Sequence, residues 1–139
     1  GRKLLRDRGA AMQALLAELD AAVQAAPADL QAPLAAAVAS LSQATDWLLT
    51  HGAQDPAVAQ ANSHHYLMLT GYTIGGVLMA RAARVAQAAI DGGSEDSFYR
   101  GKLATACFYM QQLLPRAQAH AQSVLAGAEA VLALPAEQF

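Results

Sequence analysis

The chain has 139 residues and a formal net charge of −2; 55 % of its residues are hydrophobic but only 6 % are aromatic. That length suits one domain with its own core, and the charge balance excludes the basic stripe of a nucleic-acid binder. Alanine makes up about a quarter of the sequence and strand-forming residues are scarce, so the composition points to closely packed helices.

The start is basic, with Arg2, Lys3, Arg6 and Arg8; no lysine or arginine follows until Arg81. Residues 1–8 read as a linker or helix end carried over from a preceding domain, and the abrupt Gly1-Arg2-Lys3 reads as a cut inside a longer chain. Residues 9–135 read as a helical bundle domain, and residues 136–139 as a tail.

The first helix is predicted over residues 9–26. Met12, Leu15, Leu16, Leu19 and Val23 recur three or four apart on one stripe, and Pro27 ends it. The second runs over residues 28–50, with Asp29 as cap and Pro33 in the first turn. Its buried face is Leu30, Leu34, Val38, Leu41, Thr45 and Leu48, and Gly52 is the expected C-cap.

Asp55 and Pro56 open a third, long helix that runs to Ile90 or Asp91. Leu67, Gly71, Ile74, Leu78, Ala82, Val85 and Ala89 form its seam, and Gly92-Gly93 breaks it. The stretch from Tyr66 to Ala80 is apolar, but it is shorter than a membrane span requires. The fourth helix starts between Ser94 and Ser97, with Glu95 and Asp96 at its positive end. Its face is Tyr99, Leu103, Ala106, Met110, Leu113, Ala117, Ala121, Val124, Ala128 and Val131. Pro115 is expected to kink it, and Pro135 to end it. The architecture that follows is all-α: an up-and-down antiparallel bundle of about four helices, the third and fourth of them long.

Candidate chemistry is sparse. His64 and His65 are neighbours, so on a helix they point about 100° apart and make a poor ligand pair; His51 and His120 stand alone. No Glu-x-x-His pair or Cys-x-x-Cys-His motif occurs, so no metal is expected. Carboxylates form no pair that acid–base chemistry could use. Cys107 lies in an apolar helical stretch and reads as a buried structural thiol. As the single cysteine, it suits a reducing compartment such as the cytoplasm.

Gly71, Gly75 and Gly76 are more informative. Each costs a helix about 1 kcal/mol relative to alanine, so close approach of another helix is expected there. With Tyr66 and Tyr72 they form the candidate packing or interface set. No strand precedes them and no Gly-x-Gly-x-x-Gly occurs, which argues against a phosphate cradle. A ligand beside Gly71 and Tyr72 ranks below helix packing, because no polar groups converge there.

Several stretches resemble a known family. These are GRKL at the start, YLMLTGYTIGG from Tyr66, FYRGKLATACFY from Phe98, LLPR from Leu113, and AGAEAVLAL from Ala126. In order and spacing they resemble the C-terminal helical domain of a subgroup of acyl-CoA dehydrogenases described as acetyl-CoA dehydrogenase-like. That subgroup includes enzymes resembling 3-methylmercaptopropionyl-CoA dehydrogenases. Cys107 departs from the pattern, standing where a larger polar residue is usual. The resemblance covers nearly the whole chain and implies FAD-dependent α,β-dehydrogenation of an acyl-CoA thioester by a parent enzyme. It places the catalytic glutamate upstream of Gly1, so no catalytic, FAD-binding or metal residue carries over to this chain. The implied partners are the preceding dehydrogenase domains and another subunit. The alternative is a free-standing helical protein-interaction module.

Overall fold

The computed structural model describes residues 2–138, apart from the side chains of residues 2 and 136. Among these, every regular element is helical. Helix α1 (Arg2–Arg6) turns into α2 (Ala10–Gln24) through Arg8 and Gly9, both left-handed at φ 54° and 80°. Gly9 also lies against Leu49, where a Cβ would come within 2.6 Å of Leu49 Cδ1. Glycine therefore meets both the backbone and the packing demand.

Helix α3 (Ala28–Gln54) buries Leu30, Leu34, Val38, Leu41, Thr45 and Leu48, the six residues of the predicted stripe. Three details differ from expectation. Asp29 lies inside the first turn and caps nothing, because the helix already starts at Ala28. Pro33 falls beyond that turn, so the bond its N–H would have given to Asp29 is missing. Gly52 is not a C-cap but a buried helical residue; a Cβ there would lie 3.0 Å from Leu5 Cδ2 and 3.2 Å from Ala59 Cβ. Its missing side chain lets α1 and the following helix close on the end of α3.

The predicted third helix is interrupted. Helix α4 (Pro56–Ala61) is capped by Asp55, whose carboxylate accepts from Ala57 N at 2.9 Å. Asn62 then leaves helical geometry at φ −89°, ψ 0°, and α5 (Ser63–Asp91) follows. Buried Asn62 donates from Nδ2 to Val58 O at 3.0 Å and to Gly127 O at 3.4 Å. The break thus ties to a distant turn that local sequence does not reveal.

The fourth segment divides further. Helix α6 (Ser97–Phe108) is capped by Asp96. A π-helical turn, Tyr109–Leu113, precedes Pro115, with Leu114 N reaching back five residues to Tyr109 O at 2.9 Å. Widening the helix here absorbs the proline that was expected to kink it. Helix α7 (Arg116–Leu125) stops far short of Pro135, because Gly127 turns left-handed at φ 86°. A short α8 (Glu129–Leu132) and one 3₁₀ turn (Ala136–Gln138) complete the described residues, and Val131 is exposed. Phe139 lies outside them. The two longest helices are α3 and α5, of 27 and 29 residues; α5 is most of the predicted long third helix, whereas the predicted fourth is divided.

Helix α5 is the centre of the bundle. It packs on α6, α7, α3 and α2, and α2 in turn packs on α3. Leu34, Leu41, Leu48, Leu69 and Val124 fill the core with almost no exposure. Leu41→Ala is expected to lower unfolding stability by about 2–5 kcal/mol, measured by urea denaturation of the purified chain; a loss below 1 kcal/mol would contradict this core assignment.

Candidate functional site

Helix α5 has two apolar faces. The buried one is Tyr66, Leu69, Thr73, Gly76, Val77, Ala80, Ala83 and Ala86. Much of the predicted seam lies on the other side: Leu67 is 68 % exposed, Leu78 50 % and Val85 62 %, and Gly71 is also open to solvent, whereas Ile74, Ala82 and Ala89 are half-buried. The small residues at 76, 80, 83 and 86 let neighbouring helices come close, so that face is the one buried. Of the large seam residues, Leu67, Leu78 and Val85 point outward, while Ile74 packs against the core.

The five candidate residues separate into two groups. Tyr66 and Gly76 belong to the interior. Tyr66 is buried, and its hydroxyl lies 2.8 Å from Thr45 Oγ1. Thr45 spends its single proton on Leu41 O at 2.7 Å, so Tyr66 is the donor. Burial raises the Tyr66 pKa, partly offset by the Thr45 bond. A Cβ on Gly76 would meet Leu34 and Leu114, each at 3.0 Å.

Gly75, Gly71 and Tyr72 lie towards the surface. The Tyr109 ring covers Gly75, so a Cβ there would collide with the Tyr109 hydroxyl. That hydroxyl donates to Tyr72 O at 3.0 Å, and burial raises its pKa. Nothing stands within 4 Å of a Cβ built on Gly71. Instead, Gly71 forms the floor of an open apolar cleft of about 330 Å³ between Leu67, Met68, Tyr72 and Tyr109. Gly75→Leu is expected to displace Tyr109 and cost about 1–3 kcal/mol; unchanged urea unfolding would argue against this contact.

A second cleft, of about 320 Å³, lies further along α5. Val85, Ala82 and Ala86 face Phe98 and Tyr99 of α6, with Arg81 and Lys102 at the rim. The Lys102 ammonium sits 5.2 Å above the Phe98 ring. Phe98, Lys102 and Arg81 were not among the sequence candidates. The pairing of α5 with α6 across Gly92-Gly93 is what gathers them.

The structure also assembles histidines that are separate in sequence. His120 of α7 reaches His65, with their Nδ1 atoms 3.1 Å apart, and stacks on Tyr72 at 5.8 Å. His64 completes the cluster at 6.1 Å from the His120 ring. One nitrogen of the close pair donates and the other accepts, according to the tautomers. Among the described residues, no group of three or more His, Cys, Asp or Glu could hold a metal ion. Cys107, expected to be buried, is exposed. It is one residue past buried Ala106 and so points about 100° away from the core.

Partial burial, then His65 and His64, lower the His120 pKa below 6.5. The unfolded chain therefore binds more protons than the folded one as pH falls below 6.5. The stability His120 contributes is complete above 6.5 and is lost as pH falls through its folded value. Urea unfolding at pH 8 to 5 should show this decline, and His120→Gln should flatten it; identical pH profiles for both proteins would refute it.

The described residues form an all-helical bundle whose central helix leaves Leu67, Leu78 and Val85 exposed. The model of the family described as "Acetyl-CoA dehydrogenase C-terminal like" matches residues 10–135, and the chain belongs to that family. It is similar to the 3-methylmercaptopropionyl-CoA dehydrogenase of Ruegeria pomeroyi, at 33 % identity over 121 residues. The match covers 82 % of this chain but 20 % of that enzyme, so the chain spans about a fifth of its curated relative. No described helix is long and apolar enough to cross a membrane.

Proposed function

We propose that this chain is the C-terminal helical domain of an FAD-dependent acyl-CoA dehydrogenase, and that it acts by docking rather than by catalysis. The observation that carries the docking role is the exposure of Leu67, Leu78 and Val85 along one face of α5. Large apolar side chains left open on one face of a packed helix suit an interaction site. Family membership and the similarity to a dehydrogenase support the rest of the reading.

The parent reaction is α,β-dehydrogenation of an acyl-CoA thioester, with FAD accepting the β-hydride. The one helix opened by Gly-Gly is α6, and Glu95 and Asp96 at its start repel a diphosphate. Flavin binding and proton abstraction are therefore assigned to the remainder of the parent enzyme. Placement in the cytoplasm rests on the exposed, unpaired Cys107.

The test is to cleave the parent enzyme at a protease site engineered just ahead of Gly1, so that α1, whose Leu4 is buried in the core, stays with the helical piece. FAD and dehydrogenase activity are expected in the larger piece, with the helical piece co-eluting with it. Separation of the pieces at micromolar concentration would overturn docking. A helical piece that retained flavin would overturn the site assignment.

A further inference from the structure

Two histidines far apart in the chain meet where α5 packs on α7. His65 and His120 are both half-buried, with Nδ1 atoms 3.1 Å apart and ring centroids 5.3 Å apart. Two imidazoles sharing one tetrahedral zinc, at about 2.0 Å per bond, have nitrogens about 3.3 Å and centroids about 5.2 Å apart. The rings therefore already stand at chelating separation, and binding asks only for a small tilt. Because each helix supplies one ring, the pair escapes the divergence that makes the neighbours His64 and His65 poor joint ligands.

The surroundings favour this use of the pair. The His120 ring stacks on Tyr72 with planes 19° apart, and a ring held in orientation by a neighbour is a better ligand. In the hydrogen-bonded pair one Nδ1 carries the proton. On metal binding that proton moves to Nε2 of the same ring, so both Nδ1 lone pairs face the ion and both rings stay neutral.

The His64 ring lies 5.4 Å from His65 and 6.1 Å from His120, but it does not complete a three-residue ligand set. Neither α7 nor α5 before Asp91 holds a carboxylate, so water fills the remaining positions. Arg116, one turn before His120, adds a like charge. Both features keep the affinity below that of a four-ligand structural zinc site.

We infer that His65 and His120 bind one divalent transition-metal ion, with zinc as the simplest case, and so tie α5 to α7. Imidazole nitrogen selects such ions over magnesium and calcium, which take oxygen ligands. The site stands apart from the docking role proposed above.

Titration calorimetry of the purified, chelator-treated chain with zinc chloride tests this. One zinc per chain is expected, and no binding of magnesium. His65→Ala and His120→Ala are each expected to weaken zinc binding by about tenfold or more, since even residues behind the ligands cost about that much. His51→Ala is expected to leave it unchanged, because His51 lies on α3 against Trp47. No zinc bound at millimolar concentration, or zinc held as tightly by the two variants as by the unaltered chain, would overturn the assignment; binding at exposed Cys107 alone would give the second result.

A measurement on the unaltered chain does not depend on the variants folding. Equimolar zinc is expected to shift the imidazole proton resonances of His65 and His120 and to leave those of His51 in place. Shifts that spare His65 or His120 would also overturn the assignment.

Discussion

Gly76 lies between Leu34 of α3 and Leu114 at the start of α7, and the spacing of the bundle follows from that contact. With no side chain at residue 76, the leucines from both neighbours reach the surface of α5. Ala80, Ala83 and Ala86 extend the same small-residue face towards the far end of the helix. The same face also carries Tyr66, Leu69 and Val77, so it joins large apolar side chains at one end to close helix approach at the other. The apolar area removed from water is thus gained through tight packing of small residues and the leucines that cover them.

The outward stripe is the consequence. Leu67, Leu78 and Val85 would add stabilisation if covered, at roughly 25 cal/mol per Å² of apolar surface, yet the described residues leave them open. Tyr109 links the two sides. The π-helical turn that accommodates Pro115 also sets this ring over Gly75, with its hydroxyl on the Tyr72 carbonyl. The same ring forms one wall of the Gly71 cleft. A local backbone adjustment to one proline therefore shapes part of the proposed docking surface.

Polar groups in the bundle are few and locally satisfied. Thr45 and Thr73 return their hydroxyl protons to carbonyls four residues back, and Tyr66 donates to Thr45. No buried side-chain nitrogen or oxygen among the described residues lacks a partner. The histidine cluster lies nearer the surface where α5 meets α7, with His64 exposed and His65 and His120 half-buried, and there the His120 pKa is lowered.

Local signals were enough for much of the architecture. Alanine content, the leucine stripe of α3, the Asp55-Pro56 start and the Gly92-Gly93 break made an all-helical bundle legible in the amino-acid sequence alone. The order of the motifs made the family legible too. Other features depended on contacts between distant segments: the Asn62 break, which bonds to Gly127; the early end of α7; the role of Gly52 beneath α1 and α4; and the meeting of His120 with His65. The face of α5 that is buried belongs to this second group. Periodicity shows that a face is apolar, but which of two apolar faces is covered depends on the shapes of the helices that come to lie against it. Tertiary packing covered the glycine–alanine face and left the Leu67–Val85 stripe outside.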